Sequence, residues 1–260
     1  MSTLATAAAA LITATLAASM LTGCATSTAQ QLHVQILAVL PHDPTMYTEG
    51  LEILDGVLYE STGLVGQSRL RATALASSAM LREAALPADL FGEGLTVTED
   101  RMWQLTWTSG IAIERDPATL AQRRRVTYQG QGWGLCHDGH RLVMSDGSDR
   151  LTFRDPGTFA PSGQVAVRLD GKPVRQLNEL ECAGGFVWAN VFQTDRIVRI
   201  NPSTGAVTGV VDASGLLRTQ PQSTGDVLNG IASIPGTDEF LITGKHWPSL
   251  FRVRFVAESS

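Results

Sequence analysis

Five short steps recur along the chain, each a polar or aromatic residue followed by a small or acidic one and then an aliphatic one: Glu49-Gly50-Leu51, Glu93-Gly94-Leu95, Trp133-Gly134-Leu135, Asn178-Glu179-Leu180 and Asn229-Gly230-Ile231. Their leading residues are two carboxyls, two carboxamides and an indole. Gathered in one place they would make a polar, aromatic-walled pocket in which a carboxyl moves protons and the carboxamides hold a polar substrate. The same set could instead ligate a divalent cation, or consist of buried polar groups that satisfy one another. Downstream of these steps, Gln104 and Trp107, Asn190 and Phe192, and Lys245 and Trp247 stand at the ends of apolar runs and would reach the same place.

To converge, residues so far apart in sequence need a repeated scaffold. The steps return at intervals of about 40 to 50 residues, each opening a hairpin of strand-like alternation. Asp55-Gly56 and Asp138-Gly139 supply two of the tight turns. A third strand follows and often ends in Asp116-Pro117, Asp155-Pro156 or Asn201-Pro202. Three or four antiparallel strands per repeat predict a propeller blade, and five repeats predict an all-β, five-bladed β-propeller with equivalent inner positions facing one channel. A β-sandwich also has many short strands, but it would not reuse one hairpin five times. The unclaimed run Leu32 to Val39 is expected to pair beside Leu250 to Val256 and close the ring.

Composition narrows the function classes. With 43% hydrophobic and 17% charged residues the chain is globular. A net charge of −5 without a basic run argues against nucleic-acid binding, which needs clustered positive charge. Met1 to Cys24 carries no charged residue and ends in Leu21-Thr22-Gly23-Cys24, which resembles the bacterial lipobox. Residues 1–23 are therefore expected to be a lipoprotein-type signal peptide, Cys24 the lipidated residue and 24–31 a polar tether. Residues 32–258 would form a single catalytic propeller outside the cytoplasm, attached to the membrane by its lipid alone. In such an oxidising compartment Cys136 and Cys182, at matched places in neighbouring blades, are expected to form a disulfide.

Other signals are weaker. His137 and His140 flank a turn, Gly130, Gly132 and Gly134 lack the strand-loop-helix context of a dinucleotide site, and no Gly-x-Ser-x-Gly elbow is present. The Asp146-Gly147-Ser148-Asp149 loop reads as a β-turn.

The motifs YTEGL from Tyr47, LYESTGLVGQSRLR from Leu58, FGEGL from Phe91, QLTW from Gln104, GWGL from Gly132, MSDGS from Met144, LNELE from Leu177, VLNGIA from Val227 and TGKHWP from Thr243 occur in that order. In them the chain resembles the plant-type glutaminyl-peptide cyclotransferases, five-bladed enzymes typified by that of papaya latex and shared with many bacteria. The resemblance covers nearly the whole chain after the signal segment. It implies conversion of an N-terminal Gln to pyroglutamate with loss of ammonia, without cofactor or metal, on peptide or protein substrates. It also implies that Glu93 transfers protons, that Lys245 lies by the reacting amide, and that Asn178 bonds the substrate. Trp107 and Trp133 would wall the pocket, with Glu49, Phe192 and Asn229 completing it. Glu49 stands where the papaya enzyme has Gln, and Phe192 where it has Trp. A monomer is expected. Two other classes remain open: a metal-dependent propeller such as a lactonase, with Glu49, Glu93, Asn178 and Asn229 as ligands, and a non-catalytic propeller that binds peptide or glycan.

Overall fold

The computed structural model describes residues 29–217 and 226–257. The expected signal segment and Cys24 lie outside them. Among the described residues every regular element is a β-strand.

Three antiparallel four-stranded sheets follow one another along the chain. The first runs Thr48–Leu54, Val57–Thr62, Arg69–Ala74, Met80–Ala85, and the second Gly92–Val97, Met102–Thr106, Ile111–Arg115, Gln122–Thr127. The third runs Leu135–His137, Leu142–Met144, Arg150–Arg154, Pro161–Ala166. A two-stranded ribbon, Arg168–Leu169 with Lys172–Pro173, and an eight-stranded sheet complete the set. In the latter Leu177–Ala183, Phe186–Val191, Arg196–Ile200 and Val207–Asp212 are followed in space by Gln30–Pro41, then Ser249–Ala257, Glu239–Gly244 and Leu228–Ser233. The N-terminal strand is the join. It pairs antiparallel with Ser249–Ala257 along its length, as the sequence predicts, and its first residues also pair in parallel with Val207–Asp212. Each side of this one strand thus covers an edge that would otherwise be open.

The five strands that carry the recurring steps contact one another in a ring: Thr48–Leu54 touches Gly92–Val97 and Leu228–Ser233, Leu135–His137 touches Gly92–Val97 and Leu177–Ala183, and the last touches Leu228–Ser233. Both faces of these inner strands are covered, and all six residues of Gly92–Val97 are buried. The strict alternation expected of a half-exposed strand is accordingly lost there and reappears farther out, as in Arg69–Ala74. Close approach explains the small residue of each step. A Cβ on Gly94 would lie 2.7 Å from Gly134 Cα, and one on Gly134 would lie 2.1 Å from the Asn178 carbonyl oxygen. In the fourth step the small residue is replaced by Glu179, which is fully buried and accepts hydrogen bonds from Leu51 N at 3.2 Å and Ile231 N at 2.8 Å. One carboxyl group therefore ties three inner strands together.

Local chemistry makes the turns. Asp55 and Gly56 both have positive φ, 49° and 73°, as a two-residue hairpin of matching twist requires. At the predicted Asp/Asn-Pro turns the side chain accepts a backbone N–H three residues on, Thr119 to Asp116, Thr158 to Asp155 and Thr204 to Asn201. Cys136 and Cys182 are bonded, joining two adjacent inner strands at a Cα separation of 5.4 Å.

Candidate active site

Where the inner strands begin, a cavity of 170 Å³ is lined by Tyr47, Glu49, Phe91, Glu93, Trp107, Trp133, Asn178, Phe192 and Lys245. Seven of these are predicted site residues drawn from all parts of the chain. The backbone holds them from outside: Gly94 N donates to Trp133 O at 2.7 Å, Trp133 N to Ser145 O at 3.0 Å, and Lys245 N to Val227 O at 2.9 Å. Ser61 Oγ donates to the carbonyl of Glu93 and Ser145 Oγ to that of Asn178, so a serine from one hairpin pins the site residue of the next.

The charges form a compact group. Lys245 Nζ donates to Glu49 Oε1 at 2.6 Å, and Asn229 Nδ2 donates to Glu49 Oε2 at 2.9 Å and to the Thr48 carbonyl at 2.9 Å. Asn229 is wholly buried and stands behind Glu49, outside the cavity lining; it grips the carboxylate that faces the cavity. Glu93 Oε2 is buried without a hydrogen-bond partner. Burial, then the neighbouring Glu49 charge, hold the Glu93 carboxyl well above the usual range. Burial also raises Glu49, to about 7, against the pull of Lys245 and of its hydrogen bonds to Lys245, Glu93 and Asn229. Lys245 loses by burial but gains more from Glu49, Glu93 and Tyr47, and its pKa is raised. Near neutral pH Glu93 is therefore held protonated, beside a Lys245–Glu49 pair in which the Glu49 carboxyl exchanges its own proton at about 7.

Aromatic rings surround it. Lys245 Nζ lies 4.5 Å from the Tyr47 ring centroid and 5.1 Å from that of Phe192. Tyr47 meets Phe91 edge-on at 6.1 Å, Phe91 meets Trp107 at 5.5 Å, and Trp133 meets Phe192 edge-on at 5.5 Å. Tyr47 and Phe91 belong to motifs read in the sequence but were not singled out there as site residues. The signal was available: each stands two residues before its glutamate, and in a strand residues i and i+2 share a face.

The remaining candidates serve the frame. Gln104 Nε2 donates to Ser61 Oγ at 2.9 Å and Gln104 Oε1 accepts from Arg115 Nε, Asn190 Oδ1 accepts from Gly230 N, and Trp247 Nε1 donates to the Asp226 carbonyl. A larger groove of 660 Å³ near Trp188, Arg199, Phe240 and Phe255 has only the exposed Asp238 as an acidic lining residue, and lacks any such carboxyl pair.

Known proteins resemble this chain over most of its length. Residues 5–255 match the model of a family described as glutamine cyclotransferase. A glutaminyl-peptide cyclotransferase of Arabidopsis thaliana is 36% identical over 233 residues, covering 87% of this chain and 72% of the plant protein. The crystal structure of Myxococcus xanthus glutaminyl cyclase matches with a TM-score of 0.83 and 39% identity, over 89% of this chain and 100% of that one. A β-propeller domain of Myceliophthora Cps50 (Swd1), 9% identical, matches with a TM-score of 0.51 over 85% of this chain and 99% of that domain, a likeness of propeller fold alone.

Proposed function

Because the chain belongs to the glutamine cyclotransferase family, we propose that it is a glutaminyl-peptide cyclotransferase that closes an N-terminal Gln of a peptide or protein into pyroglutamate and releases ammonia. The observation that carries the reading is the unpartnered, buried oxygen of a protonated Glu93 in a cavity on the scale of one amino-acid residue, beside the Lys245–Glu49 pair.

The neutral α-amine attacks the side-chain carbonyl carbon, forming the new C–N bond, and the bond to the amide nitrogen breaks. The attacking nitrogen loses one proton and the departing nitrogen gains one, so no proton is consumed. Glu93 supplies the proton that leaves with ammonia and recovers one from the ring nitrogen, with the adjacent Glu49 carboxylate sharing the load. Lys245 and the Asn178 carboxamide are the donors available to negative charge on the carbonyl oxygen. Trp107, Trp133 and Phe192 wall the aliphatic part of the substrate, and Asn229 acts through Glu49.

No metal enters this scheme. A ligand set of Glu49, Glu93, Asn178 and Asn229 conflicts with an ammonium group 2.6 Å from Glu49, which already occupies the electrostatic place of a cation, and with Asn229 Nδ2 spent on the same carboxylate. We read the eight-stranded sheet as two four-stranded blades, which makes the molecule a five-bladed propeller over residues 32–258, and we take it to act as a monomer. We further infer that residues 1–23 direct export and that Cys24 is lipidated. The Leu21-Thr22-Gly23-Cys24 sequence and a disulfide suited to an oxidising compartment support this.

Ammonia release from a short Gln-initiated peptide tests the reaction. Glu93→Gln should keep the native circular dichroism and lose on the order of a hundredfold to ten-thousandfold in turnover, while wild-type turnover survives exhaustive chelation. Near-native activity of Glu93→Gln, or loss of activity on chelation of still-folded protein, would refute the scheme. Cys24→Ala should leave the membrane fraction or accumulate as precursor; unchanged mass and membrane association would refute the anchor.

A further inference from the structure

Two of the cavity's walls are held by a residue outside its lining. Trp107 Nε1 donates to Gln131 Oε1 at 2.9 Å, and Trp133 Nε1 donates to the same Oε1 at 2.9 Å. A carbonyl oxygen has two lone pairs, so this acceptor is filled by the two indoles. The backbone supports the arrangement, since Gly132 N, next to Gln131, donates to the Trp107 carbonyl at 2.9 Å.

The contact completes a circuit. From Tyr47 through Phe91 to Trp107 the rings touch directly, as do Trp133 and Phe192. Two gaps remain in this collar. Lys245 spans one by lying against both Phe192 and Tyr47. Gln131 spans the other by accepting from both tryptophans. Trp107 is 41% exposed, and besides its contact with Phe91 the bond to Gln131 is what orients its ring at the cavity mouth. Gln131 also keeps the offset seen at Tyr47 and Phe91, standing two residues before the third leading residue, Trp133.

We infer that Gln131 is a positioning residue for substrate binding, clamping Trp107 and Trp133 at the spacing that admits the flat glutaminyl side chain. This rests on the glutaminyl-cyclisation reading above. The walls flank the substrate side chain before and after ring closure alike, so releasing them removes binding common to ground and transition states. That kind of loss raises KM and leaves kcat in place. An isosteric carboxylate can accept both indole N–H groups and should preserve the clamp; a thioether of similar length cannot.

The test uses Gln131→Met, Gln131→Glu and Trp107→Phe in the full chain, with steady-state ammonia release and the indole ¹H–¹⁵N resonances as readouts. Gln131→Met should raise KM about fivefold with kcat within about twofold, and should shift the Trp107 and Trp133 indole resonances; Gln131→Glu should restore both toward wild type. In the Trp107→Phe background, which lacks one donor, Gln131→Met should cost distinctly less in KM than it does alone. Unmoved resonances in Gln131→Met overturn the clamp whatever the activity. Shifted resonances with an unchanged KM, equal losses in the Met and Glu variants, or strictly additive effects overturn its role in binding. Should the wild-type chain fail to cyclise any glutaminyl peptide, the proposed reaction falls, and the resonances alone still decide whether the clamp exists.

Discussion

At the scale of the residue, the chemistry depends on which of two adjacent carboxyls keeps a proton. Glu49 has a hydrogen-bond donor on each oxygen, one of them an ammonium, whereas an oxygen of Glu93 has none. Ionising Glu93 would bury a second negative charge without compensation. Glu49→Gln removes the negative neighbour and leaves the Lys245 cation uncompensated beside Glu93. Both changes favour the Glu93 carboxylate, so its pKa falls and its proton is lost at lower pH. Turnover at the optimum should stay within about tenfold of wild type, since Gln is close in size and still offers an acceptor to Lys245, but the alkaline limb of the kcat profile should move toward acid. The groups facing Glu93 are Glu49, Lys245 and Tyr128, with Tyr47 beyond Lys245; of these Tyr128 is pushed up to about 12 and does not titrate in this range. An alkaline limb that does not move shows that Glu49 does not set the proton affinity of Glu93.

At the scale of the element, function depends on how closely the inner strands are held. The disulfide ties the strand that follows Trp133 to the strand containing Asn178, spanning a sequence separation of 46 residues. Closing a loop of that size stabilises by about 4 kcal/mol on the chain-entropy view. Cys136→Ala with Cys182→Ala should therefore lower the urea unfolding free energy by an amount of that order. It should also raise KM for a Gln-peptide, because the strands that carry Trp133 and Asn178 to the cavity lining lose their covalent tie. A loss under about 1 kcal/mol would show that the glycine-mediated approach of the strands and the Glu179 bridge hold this seam unaided. Tight packing alone is a strong constraint here: a side chain on Gly134 would have to displace the Asn178 backbone itself.

At the scale of the whole molecule, the inner strands concentrate carboxyls, with Glu49 and Glu52 on Thr48–Leu54, Glu93 on Gly92–Val97, and Glu179 and Glu181 on Leu177–Ala183. Burial raises Glu49 and Glu181 to about 7 and lifts Glu52, Glu93 and Glu179 well above their ordinary value. Each native carboxyl keeps a proton that the unfolded chain releases above its usual pKa. The folded state thus binds more protons at these carboxyls from the ordinary carboxylate range to about pH 7, so their contribution to stability is lost as pH rises through that window, with His137, lowered chiefly by burial, opposing them. For each group protonated only in the folded state the slope is about 1.4 kcal/mol per pH unit. His42, raised chiefly by Glu60 against its burial, acts in the same direction as the carboxyls. The melting temperature should drop between about pH 5 and pH 8, and Glu181→Gln should flatten the slope. A flat or rising melting curve over that interval would mean that these carboxyls are ionised in the folded protein.

The sequence by itself determined what repeats and most of what gathers at the cavity. The five steps, the Asp-Gly and Asp-Pro turns and the pairing of the first and last strands follow from local conformational preference and period, and the structure reproduces them because short-range sterics and hydrogen bonding are the same in any fold. Most of the cavity was legible too: Glu49, Glu93, Trp107, Trp133, Asn178, Phe192 and Lys245 all line it. Tertiary structure decided the partnerships. Asn229 was expected to meet substrate like its counterparts and instead braces Glu49, while Gln131, never a candidate, accepts from two tryptophans. Proton affinities belong to the same class. Glu49 and Glu93 occupy equivalent places in the repeat and are identical side chains, but one sits against an ammonium and the other against a carboxylate. That difference arises only when the ring brings residues 49, 93 and 245 together, because burial and charge act through space and leave no mark in the order of the residues.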